Sequence, residues 1–310
     1  MRTSRSMSRA VSTLQRELRW FFRVGVVALL LAALSTGCAV LDSHQRAWIF
    51  QPSDESWGTS ALAARGLEDV WIDFDSAQDR KPARLHGLLV EQEADSPAPL
   101  LLYLHGAHFN VASSAQRMRR LGALGFAVLG IDYRGFGRSS PALPSEALAC
   151  EDARAAWDWL GERFPGRPRY LYGHSLGGAI ATELAARVGD VAGLLVESSF
   201  TSIPDVVSTF RWGWLPLAPF ITQRFDAAAA MASVKAPVIV LHGSDDALVP
   251  ASLGHALYER APGPKRWILV DGGSHHTANT LGAAQVREAM RELFGLRVPQ
   301  SPSVAADAAS

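Results

Sequence analysis

The sequence predicts an α/β fold: a mostly parallel eight-stranded sheet with helices on both faces and a small cap. Three features lead there. Short apolar runs alternate with helical patterns from residue 70 onward, which is how a chain covers both faces of a parallel sheet. The later runs, such as Val238-Ile239-Val240-Leu241, are unbroken Val, Ile and Leu, as strands buried on both sides must be. The composition, 48% hydrophobic and 19% charged over 310 residues, is that of a globular protein with a large core. It excludes disordered, collagen-like and disulfide-framework chains.

The formal charge is zero, but it sums two unlike segments. Residues 1–37 hold six Arg against Glu17 alone, so the other 273 residues carry 24 basic and 29 acidic side chains. A mildly acidic body argues against a nucleic-acid partner, which needs a clustered cationic excess. Past Arg23 the chain is uncharged for 18 residues, Val24 to Leu41, and Ser35-Thr36-Gly37-Cys38 lies inside that run. Basic region, apolar region and small-residue site follow in the order of a secretory signal. Eighteen residues is also the short limit of a spanning helix, so an uncleaved membrane anchor stays open as the alternative.

The run Leu34-Ser35-Thr36-Gly37-Cys38 resembles the lipobox of bacterial lipoproteins, although Ser35 stands where that pattern usually has Leu. The resemblance implies acylation of Cys38. With Ala39 following it, the resemblance also implies an exported protein held at the outer membrane or in the periplasm. Residues 1–37 are therefore read as signal sequence, 38–60 as linker, 61–297 as the folded domain with its cap at 198–236, and 298–310 as a disordered tail of Pro, Ser and Ala. The other cysteine, Cys150, sits in a helical pattern without a neighbouring His or Cys and is expected to be a small buried side chain.

Strands are expected at 70–74, 85–90, 100–104, 127–131, 170–172, 193–196, 238–241 and 267–270. The first two are antiparallel, because only the turn from Gln78 to Pro82 separates them and a parallel crossover needs a dozen or more residues. Helices are expected at 145–164 and 176–188, the second stopped by Gly189. Residues 198–236 break the rhythm with Phe200, Phe210, Trp212, Trp214, Phe220 and Phe225 set among three prolines. This is the cap, with Phe200, Trp212 and Trp214 expected beside His108 and Phe109 at a substrate pocket. Core packing is the plainer reading for any single ring.

The chemistry gathers at strand ends. Gly173-His174-Ser175-Leu176-Gly177 follows an apolar strand and precedes an Ala-rich helix, the context that makes Gly-x-Ser-x-Gly a nucleophile elbow. A serine hydroxyl is a weak nucleophile alone, so a base and an orienting acid must follow, in the order Ser, Asp, His. Asp245 and Asp246 follow the strand at 238–241, and His275 and His276 follow the strand at 267–270. Asp246 fits a His-Gly-x-x-Asp-x-x-Val-Pro arrangement, and His275 follows a glycine turn; these two are preferred. Glu197, at another strand end, is the alternative acid. The oxyanion of an acyl-transfer intermediate needs two N–H donors, expected from Leu176 and Ala107. His105 and His174 are expected to be structural. No metal constellation is present: the sequence lacks His-Glu-x-x-His and any Cys pair, so no metal and no cofactor are implied.

Taken together, these segments resemble the α/β-hydrolase superfamily over about residues 70–295, and more closely the Bem46-type hydrolases, a depalmitoylase-like group near the serine aminopeptidases. Leu104-His105-Gly106, the run from Ile131 to Ser139, Gly173 to Gly178, Glu197 to Ser202, Arg224-Phe225-Asp226 and His242 to Pro250 carry the likeness. One departure matters. Members commonly have His-Gly-Asn-Ala-Gly-Asn at the oxyanion loop, and this chain has His105-Gly106-Ala107-His108-Phe109-Asn110. The expectation is thus an α/β-hydrolase fold carrying a serine hydrolase that cleaves esters or thioesters, its substrate a small-molecule or lipid-like acyl ester, attached to a membrane by an N-terminal lipid or anchor. A peptidase or amidase of the same fold, and a noncatalytic surface-binding lipoprotein, are the alternatives. Substrate and oligomeric state stay open.

Overall fold

The computed structural model describes residues 3–53, 60–92, 97–108 and 110–296. Two compact units divide the chain, residues 1–45 and 46–310. Helix α1 (Thr3–Phe50) is followed by α2 (Ser60–Ala64), β1 (Glu68–Asp75), β2 (Pro82–Val90) and β3 (Leu100–Leu104). A single 3-10 turn at Val111–Ser114 leads into α3 (Ala115–Ala123), then β4 (Ala127–Ile131), α4 (Glu146–Arg163), β5 (Arg169–His174), α5 (Leu176–Arg187) and β6 (Val191–Glu197). After α6 (Ile203–Ser208) and α7 (Ala227–Met231) come β7 (Val238–Gly243), α8 (Ala251–Arg260), β8 (Lys265–Val270), α9 (Ala278–Leu281) and α10 (Ala283–Phe294).

The eight strands form one sheet in the order β1-β2-β4-β3-β5-β6-β7-β8. Pairing is antiparallel for β1 with β2 and for β2 with β4, and parallel from β4 to β8. All eight expected strands are present, and the all-buried patterns of β3, β4 and β7 match their unbroken apolar sequences. Hydrophobic clusters fill both faces: Leu100, Leu102, Leu129 and Leu171 point to one side, and Leu101, Val128, Tyr170 and Tyr172 to the other. Helices α4, α5, α7 and α8 pack together on the first face, with α3 and α10 against the second.

Two of the boundaries that differ from expectation have a cause in the sequence. Helix α5 ends at Arg187 because Val188 turns extended (φ −102°, ψ 143°), one residue before Gly189; a β-branched residue favours that conformation. The linker expected at 38–60 is shorter as well. Residues 38–50 are helical, with no Gly or Pro before Pro52 to break them, and the last turn belongs to the body. There Phe50 is fully buried between Phe136 and Phe225, and the Arg46 guanidinium donates to the carbonyls of Leu143 and Pro144. Residues 54–59 and the tail 298–310 lie outside the described residues.

The middle of the expected cap, 203–226, is irregular, with α6 and one 3-10 turn at Ala218–Phe220. Its end is ordinary body, since α7 packs on α5 and α8. Cys150 is half-buried, and burial pushes its thiol up to about 12, so it stays a neutral thiol.

The buried Phe50 gives a direct test. Truncation of a buried Phe costs about 3–5 kcal/mol, whereas a linker substitution costs under about 0.5. Phe50→Ala is therefore expected to lower the stability of the body by several kcal/mol in denaturant unfolding monitored by near-UV circular dichroism.

Candidate active site

Parallel pairing brings the carboxyl ends of β5, β6, β7 and β8 side by side, and backbone bonds stitch them. The N–H of Ser175 donates to the Glu197 carbonyl, that of Ser198 to Leu241 and that of Ser244 to Val270, each at 2.9 Å. Open α/β sheets build their sites along this edge.

Ser175 is the junction between β5 and α5. Its backbone lies at φ 55°, ψ −122°, in a region L-residues rarely occupy and that costs of order 1–3 kcal/mol. The flanking glycines make the turn sterically possible. A Cβ on Gly177 would collide with the carbonyl oxygens of Leu104 and His105, and one on Gly173 with the backbone of Gly177 and Gly178. The glycines thus avoid neighbouring backbone rather than the Ser175 side chain. The oxyanion loop is equally close: a Cβ at Gly106 would sit 3.1 Å from the Ser175 Cβ.

Beyond β7 and β8 stands an acid and imidazole pair. Asp246 Oδ2 lies 2.8 Å from His275 Nδ1, both side chains buried. Oδ1 accepts the N–H groups of Leu248 (3.0 Å) and Val249 (2.8 Å), which fixes the carboxylate plane. Burial pushes the Asp246 carboxyl up, but hydrogen bonds from His242 and His275 outweigh it and hold it well below the usual carboxylate range. An ionised carboxylate only accepts, so His275 Nδ1 carries the hydrogen and Nε2 is left as the basic nitrogen. Asp245 is exposed and accepts from its neighbour Ser244, while His276 is exposed with its ring against those of His275 and His174. Asp246 and His275 are brought together; Asp245 and His276 are not.

His174 ties this pair to the serine turn. Its Nε2 donates to the His275 carbonyl at 2.9 Å, one residue from Ser175. Burial first, and then the Arg117 charge, press its imidazole well below the ordinary range, so it is a neutral strut. His105 is buried, with Nδ1 donating to its neighbour's carbonyl, Gly106 O, at 2.7 Å, and Tyr133 Oη donating to its carbonyl. Both histidines are structural, as expected.

Leu176 opens α5, where the first N–H groups have no helical acceptor. Ala107 follows Gly106, next to Ser175. His108 adopts φ 66° and donates its N–H to Phe50 O at 2.8 Å, so the end of α1 fixes the shape of this loop. Asp132, at the end of β4, anchors the loop from beneath by accepting the Val111 N–H at 2.6 Å and pairing with His86 Nδ1 at 2.8 Å. Phe109 lies outside the described residues.

The ring-lined pocket is not what the cap provides. Phe200 is buried in the core, and Trp212 and Trp214 are 59% and 74% exposed. Composition does not distinguish a ring that meets the core from one that meets solvent.

Glu197, weighed as an alternative acid, has other partners. Its carboxylate is fully buried and meets Arg117 Nε at 3.1 Å, Tyr172 Oη at 2.5 Å and Asn279 Nδ2 at 2.9 Å. Burial pushes it up, but the Arg117 charge prevails and holds it at about 2. Asn279 is four residues past His275 in α9, so this cluster steadies the histidine loop from behind. Sequence reading missed Arg117 and Asn279, because Arg117 is one of three Arg in the helix at 115–123 and nothing in the pattern sets it apart.

The family model described as "Serine aminopeptidase, S33" matches residues 95–225. An uncharacterised protein of Mycobacterium tuberculosis (strain H37Rv) is 32% identical over 272 residues, covering 87% of this chain and 94% of that protein. The chain belongs to the α/β-hydrolase superfamily. Lysophosphatidylserine lipase ABHD12 of Rattus norvegicus is 32% identical over 242 residues, 71% of this hydrolase chain and 57% of the lipase, so the chain spans little more than half of that relative. Est1E from Butyrivibrio proteoclasticus shares the fold at TM-score 0.59 and 20% identity, over 73% of this chain and all of Est1E. The Pyrococcus furiosus esterase Pf2001 does so at TM-score 0.60 and 19% identity, over 79% and 97%. The named relative among these matches is a lipase, and the Pyrococcus furiosus neighbour is an esterase.

The Glu197 carboxyl fixes a pH dependence. Its folded value, about 2, lies below the ordinary 4.5, so its stabilisation is complete above about pH 5 and lost as pH falls toward 2. Glu197→Gln is expected to destabilise the fold by about 3–5 kcal/mol at neutral pH, because Arg117 is left buried and unpaired, and to flatten the acid limb of a stability-versus-pH curve. An unchanged acid limb would contradict the assignment.

Proposed function

We propose that this protein is a serine hydrolase that cleaves carboxylic esters or thioesters through an acyl-enzyme. One observation carries the reading: the strained Ser175 turn and the buried Asp246–His275 pair are coupled through the hydrogen bond from His174 to the His275 carbonyl. Ser175 Oγ attacks the acyl carbonyl while His275 Nε2 takes its proton. The imidazolium, stabilised by Asp246, returns that proton to the departing alcohol or thiol. The N–H groups of Leu176 and Ala107 receive the developing oxyanion. Water, activated by His275 in the same way, then releases the acid and restores the hydroxyl.

Lipid-like acyl esters are the substrate class we favour, supported by the name of the lysophosphatidylserine lipase relatives and by the apolar cap. Amide cleavage is the second reading, favoured by the serine aminopeptidase description of the matched family. A peptide amine needs an acidic seat, and the cap's acids are otherwise occupied: Asp205 accepts from Thr201 and Ser202, and Asp226 caps α7 through the Ala229 N–H. A noncatalytic role draws no support from lipase and esterase relatives.

The apolar part of α1, Phe22–Phe50, is long enough to cross a membrane, and we propose membrane attachment through it, either retained as an anchor or replaced by acylation at Cys38. Both outcomes keep the docked turn Arg46 to Phe50. The mass of the mature N-terminal peptide separates them, since acylation adds lipid mass to a chain beginning at Cys38.

The activity test is fluorophosphonate labelling with a panel of ester, thioester and anilide substrates. Wild type is expected to label and turn over esters or thioesters, and Ser175→Ala to do neither. Asp246→Asn is expected to lower kcat by roughly 10⁴ with the fold intact. Equal labelling of Ser175→Ala would refute the nucleophile, and turnover of anilides alone would move the protein to amide cleavage.

A further inference from the structure

Between Asp205 and Asp226 the chain has no acidic residue and two basic ones, Arg211 and Arg224. The tip of this segment is apolar and outward-facing: Phe210, Trp212, Trp214, Leu215, Leu217 and Phe220 are all exposed. Its base is firmly held. Arg224 N–H donates to Glu146 Oε2 at 2.8 Å, the Ile203 N–H to the Arg224 carbonyl at 2.8 Å, and Phe225 is buried against Phe50. Six exposed apolar side chains within eleven residues, on a hydrogen-bonded base, are unusual on a soluble surface and mark a binding face.

The chain itself says which partner. Trp48 is 56% exposed and stands edge-on to Phe210 at 6.2 Å, so the patch runs on into the last turn of α1. That turn is fixed by Arg46 on the carbonyls of Leu143 and Pro144. Leu41, the end of the uncharged stretch, lies five positions before Arg46, and five residue steps reach at most about 18 Å. If the chain instead begins at an acylated Cys38, eight residues set the limit, about 29 Å. In either case the attachment holds the Trp48 end of the patch within that reach of the bilayer. Trp over an apolar base with flanking Arg is the composition favoured at a lipid interface. Arg211, stacked on the Trp212 ring at 5.6 Å, and the exposed Arg224 supply charges that suit phosphate headgroups.

We infer that the exposed tip at 210–220, with Trp48, is a membrane-docking face that seats the cap in a phospholipid bilayer. It rests on the membrane attachment proposed above and adds a second contact that the attachment alone does not require. Trp212 and Trp214, expected to line a pocket, are on this account interfacial anchors, and they bring the enzyme's cap to the surface where acyl esters with long chains reside.

The test uses the full chain in phosphatidylcholine vesicles carrying brominated acyl chains, which quench indole fluorescence on contact. Trp212→Phe/Trp214→Phe keeps the rings apolar while removing the reporters. Wild type is expected to lose more emission to brominated lipid than this variant does, and an equal loss would overturn the proposal, as it would if the tip were covered by a second copy of the chain. In parallel, Leu217→Ser/Phe220→Ser is expected to reduce turnover of a vesicle-embedded long-chain monoacyl ester by about tenfold, while leaving a soluble short-chain ester unaffected. Equal turnover of the embedded ester by variant and wild type would also overturn it. Loss of both activities in wild type would instead refute the serine hydrolase reading, and the quenching result would stand apart from it.

Discussion

Ser175 occupies a backbone conformation that its own side chain disfavours, and the surrounding structure exists in a form that leaves it no other. The strand before it is central in the sheet, paired on both sides. The helix after it starts at once, and Gly177 lies directly against the carbonyls that close β3. The turn's N–H is taken by Glu197 of the next strand. Strain of order 1–3 kcal/mol is held in place by a fold with many times that in buried contacts. The same packing draws the loop after β3 up to the serine, so one close approach of backbone to backbone positions both the proposed nucleophile and the proposed oxyanion donor.

Electrostatics then sorts two buried carboxylates into different tasks. Asp246 faces the imidazoles of His275 and His242 and two backbone N–H groups, a setting that keeps it ionised and fixes the tautomer of His275. Glu197 faces a guanidinium, a phenol and an amide, and its charge is consumed in holding α9 and the first turn of α3 to the sheet. Each is satisfied by its own partners, as buried charges must be. The His275 loop is thus held from three directions: by Asp246 at the ring, by His174 at the carbonyl and by Glu197 through Asn279.

Much of this was legible in the sequence, for physical reasons that differ by element. Strands such as β3 and β4 are nearly pure aliphatic runs, and burial on both faces requires that. The serine turn was legible because glycine has few substitutes at a collision point. What was not legible depended on partners distant in sequence. Phe50 ends a long helix and reads as part of a linker until Phe136 and Phe225 close around it. Arg117 reads as a surface residue until Glu197, eighty positions later, meets it. The cap tryptophans read equally well as pocket or surface, because hydrophobicity records the preference of a ring and not the neighbour it finds.

The central claim is that Ser175 becomes covalently acylated in turnover, and an acid quench tests it most directly. The full chain is mixed with an excess of an activated ester, stopped within the first turnover and digested, and the peptides are weighed. An acyl mass on the peptide containing Ser175, absent from an Asp246→Asn sample quenched at the same time, is the predicted result. Turnover with no acylated peptide, or an acyl group on any other residue, would contradict the account.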